Sequence, residues 1–523
     1  MRKRQRNLII AVAVLLALIG AFVGFGIVFG WFSQETTDET DTTATTTTAP
    51  LKSEEEMTYG EALYDRTKNA QGGAVSQPIR EIAIQNHRDS YKVITRSDNT
   101  MAVEAYQDLL TDTMSIDTLC GYLSTLRVLK TLEPTEDTAQ FGFADPSATV
   151  TVTFYDDTTE TLEIGNASQG TVGYYARRQG DDHVYIVHSD IAESLLAEGK
   201  SFIGKSLIGV PPRNADDTTG QAQLLQLWLT GRCRPTPVEI AVDTDGEHAS
   251  MTYVSTYVMK APYLRAVDSD AFHVTASTMT SLTAVGVECP HPTTDQLAEY
   301  GLSDPYSVAA FTLSIVSTAS GENGGSVSTH YNDREHMILL GNKDENGNYY
   351  ALVDGYDTVY LLSPASVPWA EATHLTLMSK LLFMKAITEV DEIAILHDGT
   401  ETAFKLEHRP EAETRDEQMI VTANGKTYST RDFRTLYQLM ISVKRVAEKE
   451  AGATVSGEPV LRFELTFNDG TAPMTVSMYP MTASRYLCVT DDGEQTAVSI
   501  RDTETFLTQY ENYLKGEPVY SQY

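Results

Sequence analysis

Glu81-Ile82-Ala83-Ile84, Glu239-Ile240-Ala241-Val242 and Glu392-Ile393-Ala394-Ile395 are three versions of one short stretch in a chain of 523 residues. A four-residue match means little by itself, so the test is whether later landmarks keep register. They do. Phe141-Gly142-Phe143-Ala144-Asp145-Pro146 answers Tyr300-Gly301-Leu302-Ser303-Asp304-Pro305, and the third version keeps only the proline, in Gly457-Glu458-Pro459. Gly173-Tyr174-Tyr175-Ala176 matches Asn348-Tyr349-Tyr350-Ala351, with Arg485-Tyr486-Leu487-Cys488 as its third form. Val184-Tyr185-Ile186-Val187 then matches Val359-Tyr360-Leu361-Leu362. The copies start about 155 residues apart, far too long for a solenoid unit, so each is a whole domain.

Periodicity sketches the layout of one copy. After the opening strand comes a second, Tyr91-Lys92-Val93-Ile94, and then a helix whose apolar face is Ile116, Leu119, Cys120, Leu123 and Leu126, with Ser115 as N-cap. Phe433, Leu436, Met440 and Val443 repeat that face behind Ser429-x-x-Asp432, and the second copy offers a shorter form around Met279 and Leu282. Past the proline, Ala148 to Phe154 alternates as a strand, turns at Asp156-Asp157 and returns through Leu162-Glu163-Ile164. The Tyr-Tyr and Val-Tyr strands form a hairpin around Gly180-Asp181-Asp182, and a short helix at 190–196 closes the unit. The expected fold is therefore α+β: an N-terminal transmembrane helix followed by three tandem, mainly antiparallel α+β repeat domains. The Asp-Pro pairs mark a helix-to-strand corner, because the residue before proline is pushed out of the α region.

The expected transmembrane helix covers residues 8–32, from Leu8 to Phe32, a run without charged side chains that is long enough to cross a bilayer. Arg2, Lys3, Arg4 and Arg6 precede it, and the first acid, Glu35, follows it. The positive-inside rule then puts residues 1–7 in the cytoplasm as a basic tail and the body outside. The run is too long for a cleaved leader and ends in Gly30-Trp31-Phe32, so an uncleaved signal-anchor is expected in the cell membrane. Residues 33–77, threonine-rich and acidic, are read as a stalk. The body divides into repeat domain 1 (78–210), a linker (211–236), repeat domain 2 (237–385) and a divergent repeat domain 3 (386–523).

On the corners Gly142–Pro146 and Gly301–Pro305, the strands Leu162-Glu163-Ile164-Gly165 and Ile338-Leu339-Leu340-Gly341, and the Tyr-Tyr-Ala and Val-Tyr strands, the chain resembles the bacterial domain-of-unknown-function family 4340. The match is close in copies one and two and loose in copy three, which lacks the Gly-x-x-Asp-Pro corner. The resemblance implies an N-terminally anchored envelope protein, of a kind often encoded beside ABC-transporter components that include auxiliary proteins of the gliding-motility type. It implies an accessory role and brings no catalytic residues.

The chemistry of the chain points the same way. Acidic residues outnumber basic ones 72 to 39, for a net charge of −33, which excludes nucleic acid as a partner. Cys120, Cys233, Cys289 and Cys488 form no C-x-x-C pair and read as buried free thiols. His183 and His188 flank one strand and share no ligand spacing; there is no H-E-x-x-H, no G-x-S-x-G, and Gly204-Lys205-Ser206 lacks the earlier glycine of a phosphate loop. Asp344, Asn346 and Asn348 alternate like a calcium loop but lack its glycine and its final acid, and Asp243-Thr244-Asp245-Gly246 reads as a turn. No catalytic, cofactor or metal residue is assigned, and no cofactor is expected. The expected function is a non-catalytic binding or scaffolding accessory of an envelope complex such as an ABC transporter, with a protein partner there and the membrane engaged through Leu8 to Phe32. The alternative is an envelope hydrolase or small-ligand-binding protein.

Overall fold

The structure is a computed structural model that describes residues 60–521, apart from 70–71, 134–138, 170–172, 210–220, 244–245, 247, 249–254 and 321–325. Residues 8–32, the acidic threonine-rich stretch up to 59 and the middle of the 243–246 turn lie outside the described residues. The described residues form one compact unit.

Three large antiparallel sheets dominate it. Sheet one runs, edge to edge, through Met101–Val103, Ser90–Thr95, Ile79–Asn86, Ala148–Phe154, Thr159–Ala167, Gly173–Arg178, Val184–His188 and Lys130–Leu132. Sheets two and three repeat that order in nine strands, each with one extra edge strand, Arg265–Ala266 or Lys426–Tyr428. Two small ribbons complete the set of five sheets. Among the described residues there are seven α-helices: α1 (Thr113–Ser124), α2 (Ser189–Leu196), α3 (Ser269–Met279), α4 (Thr294–Glu299), α5 (His374–Leu377), α6 (Thr430–Ile441) and α7 (Ile500–Lys515).

The expected α+β class is thus corrected: the body is mainly β. Strands too short to show any periodicity, such as Met101–Val103 and Lys130–Leu132, finish the sheet edges and raise the strand content beyond what alternation reveals. No helix among the described residues is long and apolar enough to cross a membrane, so the N-terminal transmembrane helix is not an element of the observed fold.

In each sheet one helix (α1, α3 or α6) carries the chain from one edge strand to the other across the inner face. A second (α2, α5 or α7) follows the last long strand. In copy one, Ile116, Leu119, Cys120 and Leu123 recur at helical spacing and share a core with Ile82, Val150 and Ile191. The N-cap of α1 is Asp112, which accepts from Ser115 N at 3.1 Å, rather than Ser115 itself. Ser429 caps α6 as expected, accepting from Asp432 N. α3 starts earlier than expected, behind Asp268, and Leu282 lies in a strand.

The strand that pairs with the post-proline strand is the common origin of the three copies. Ile82 faces Val152, Ile393 faces Leu465, and Leu227 faces Phe311. In copy two that place belongs to Gln221–Thr230, within the expected linker, and Glu239-Ile240-Ala241-Val242 occupies the next strand outward. A β-strand's two-residue period makes adjacent strands of a hairpin read alike, which is why the match landed one strand over. The expected stalk likewise contributes a strand, since Glu61–Asp65 pairs with Thr125–Val128.

The corner motif has a steric cause. Gly142 and Gly301 sit at φ 84° and 75°, where a side chain is strained, and a Cβ there would meet Asn166 or Asn342 at 2.7 Å. Those asparagines donate to Gln140 O and Glu299 O, both at 3.2 Å. Gly165 and Gly341, one residue before, lie so close under the corner that a Cβ would come within 2.0 Å of Phe141 O and 2.1 Å of Tyr300 O. In copy three Met478 pairs with Leu461 as Leu340 pairs with Ser307, so Tyr479 and Pro480 stand where the glycine and asparagine would be. Corner and cradle are lost together.

Candidate functional site

Each linker between sheets makes the same two backbone moves. It first bridges to the residue ahead of the crossing helix of the copy it leaves, Ile203 to Thr111 and Met378 to Val267. It then pairs just behind the crossing helix of the copy it enters: Ser206–Ile208 with Leu282–Thr283, and Leu381 with Lys444.

The side chains sealing the two junctions differ. At the first, His291, held at φ 48°, stands between Asp357 of its own copy (2.9 Å) and Asp108 of copy one (3.5 Å). The Asp357 bond raises its pKa above the ordinary histidine value, outweighing the opposing effect of burial, and Asp108 adds to the rise. Tyr356 donates to Leu207 O at 2.8 Å, tying the linker to the same turn.

At the second junction the corresponding turn carries Glu494, which is 1% exposed. Arg445, 3% exposed, grips both of its oxygens, with Nη2 to Oε2 at 2.8 Å. The same guanidinium donates to Leu381 O and to Leu382 O, holding the incoming linker. From sheet two, Arg265 reaches across to Glu494 at 2.6 Å and Asp492 at 2.7 Å. Burial pushes the Asp492 carboxyl up, but the bonds from Arg265 and Thr490 outweigh it and leave its pKa below the usual range. A cavity of about 150 Å³ opens beside this network, lined by Leu264, Leu381, Leu382, Phe383, Met384 and Met474 among others. With guanidinium donors on both oxygens, Glu494 acts as a fastener and is unsuited to accept a substrate proton.

Two further buried ions are fasteners of the same kind. Arg234 donates to the carbonyls of Thr230, Trp369, Ala370 and Ala372 and pins the turn Pro368–Glu371 to sheet two; burial lowers its pKa. Glu160 accepts from Arg66 at 3.0 Å and Arg178 at 2.7 Å, fixing the chain's lead-in to sheet one.

The residues weighed from sequence are dispersed. His183 bonds Asp181 at 2.8 Å, while His188 caps α2. Asp344 accepts from the backbone N–H groups of Asn346 and Asn348 and from the Asn348 amide, which is a self-satisfied turn. Asp145 and Asp304 are exposed at their corners beside His87 and Arg232. All four cysteines are free; Cys120, Cys289 and Cys488 are buried, and burial pushes the Cys120 and Cys488 thiols up to about 12. Among the described residues no three His, Cys, Asp or Glu side chains gather as a metal site. Arg265, Arg445 and Glu494 went unnoticed in the sequence because their partners lie 49 to 229 residues apart.

The architecture defines a class: a tandem protein of antiparallel sheets fastened by one junction design used twice. The chain belongs to the family described as Domain of unknown function (DUF4340), which matches residues 103–245 and 258–451. No curated protein and no solved structure matches it.

Proposed function

We propose that this protein is a non-catalytic binding and scaffolding accessory of an envelope complex such as an ABC transporter, its body outside the cytoplasm and its apolar stretch Leu8 to Phe32 engaging the membrane. The repeated junction carries this reading. Shared backbone pairing and a buried ion cluster fix neighbouring sheets against each other, which is what presenting several faces to a partner requires. The acidic body and the flanking charges of residues 1–35 support the compartment. Affinity capture from crosslinked membranes tests the role. Recovery of a transporter permease or auxiliary subunit is expected, and recovery of this chain alone would overturn it.

The cavity at the second junction favours a second reading, small-ligand binding. A panel of short aliphatic and single-ring aromatic compounds should raise the melting temperature if that reading holds, and Leu382→Trp, which fills the space, should remove the effect.

A further inference from the structure

The outer face of sheet two differs from its counterparts in one row. Trp228, 48% exposed, stands between Glu239 and Ala310 on the adjoining strands, and Ala310 pairs with Met337, 43% exposed. Asp354 N in turn donates to Met337 O at 3.0 Å, and the Asp354 carboxylate accepts from Met337 N at 2.8 Å. Side chains in register on adjacent strands lie about 5 Å apart, so Trp228, Ala310 and Met337 make one continuous apolar strip. Glu239 and Asp354 close its two ends, and the exposed Glu335 lies two residues along the Met337 strand on the same face. Lys260 lies at the bulge beside Glu239.

The other copies supply an internal control. The same row reads Lys92, Ala83, Thr151 and Thr161 in sheet one, and Ala403, Ala394, Glu464 and Thr475 in sheet three. The fold therefore does not require an apolar strip at this position, and solvent exposure of a tryptophan there gains the monomer nothing.

We infer that this strip docks a cationic amphipathic segment of a partner protein, with apolar side chains against Trp228 and Met337 and Lys or Arg opposite Glu239, Glu335 and Asp354. Exposed tryptophan is a frequent anchor of binding energy, and its ring face also attracts cations. The carboxylates at the rim, on a chain of net charge −33, select against acidic segments. This inference rests on the accessory role proposed above and names the surface that serves it.

The test uses the full chain and labelled synthetic peptides of alternating Leu and Lys, with Leu-Glu peptides as comparison. The Lys peptide should bind and the Glu peptide should not, and Trp228→Thr should weaken binding about tenfold. Glu239→Lys with Glu335→Lys, which keeps the tryptophan, should reverse the preference. Unchanged binding by Trp228→Thr, or equal binding of both peptides, would refute the docking surface. Capture from crosslinked membranes separates the two ideas. If wild type recovers a transporter subunit and Trp228→Thr recovers it equally, the surface is wrong and the accessory role stands. If the Lys peptide binds as expected but wild type recovers nothing, the role is wrong and the surface stands.

Discussion

Replacing Glu494 with glutamine keeps the shape of the second junction and removes its one buried negative charge. Arg445 is then left with carbonyl acceptors alone in a site where it is 3% exposed, and Arg265 keeps only Asp492 as counter-ion. Breaking a buried ion pair from one side costs about 3–5 kcal/mol. The glutamine oxygen still accepts one guanidinium bond, so the lower end, about 3 kcal/mol, is expected. For a unit the size of one copy this lowers the melting temperature by roughly 10 °C. Calorimetry of the purified chain measures it, and hydrogen exchange should place the loosening around Leu381 and in Arg445–Glu448. The reasoning is refuted if Glu494→Gln melts within about 2 °C of wild type.

At the first junction His291 has a raised pKa, so its protonated form adds stability that is full below about pH 6.5 and is lost as pH climbs through the higher folded value. Melting temperature against pH should therefore fall more steeply above neutrality for wild type than for His291→Gln, and parallel curves would contradict this. Gly341→Ala places a Cβ 2.1 Å from Tyr300 O and should destabilise by about 1–3 kcal/mol in urea unfolding. Gly286→Ala, whose Cβ meets only the Leu361 side chain at 3.4 Å or beyond, should stay within about 0.5 kcal/mol of wild type. Arg234→Met strands the carbonyls of Trp369, Ala370 and Ala372 and should cost about 2–4 kcal/mol, with a red-shifted emission from the buried Trp369 reporting release of its turn.

Long strands were legible in the sequence because one face is buried. Ala148–Phe154 alternates buried and half-buried at every residue, and its hairpin partner does so from Glu160 to Ile164. The amphipathic α6 was legible too, cap included. Three-residue edge strands were not, since Met101–Val103 is buried throughout and Lys130–Leu132 not at all. Gln221–Thr230 was missed because its outward tryptophan breaks the polar half of the alternation, leaving Leu224, Leu227 and Leu229 without a clear face. The junction ions carry no local signal. Nothing near Arg265 in the sequence marks Glu494 as its partner.

The double attachment of each linker bears on what counts as one domain here. Ile203 belongs by its bridge to the copy before it, yet Ser206, three residues on, completes a ribbon of the copy after it. Only Gly204 and Lys205 separate the two attachments, and the His291–Asp108 pair spans the same seam, so even a cut there severs a contact between neighbours. The chain is therefore better regarded as overlapping tiles than as beads on a string, and excising the middle tile would leave raw edges on both survivors.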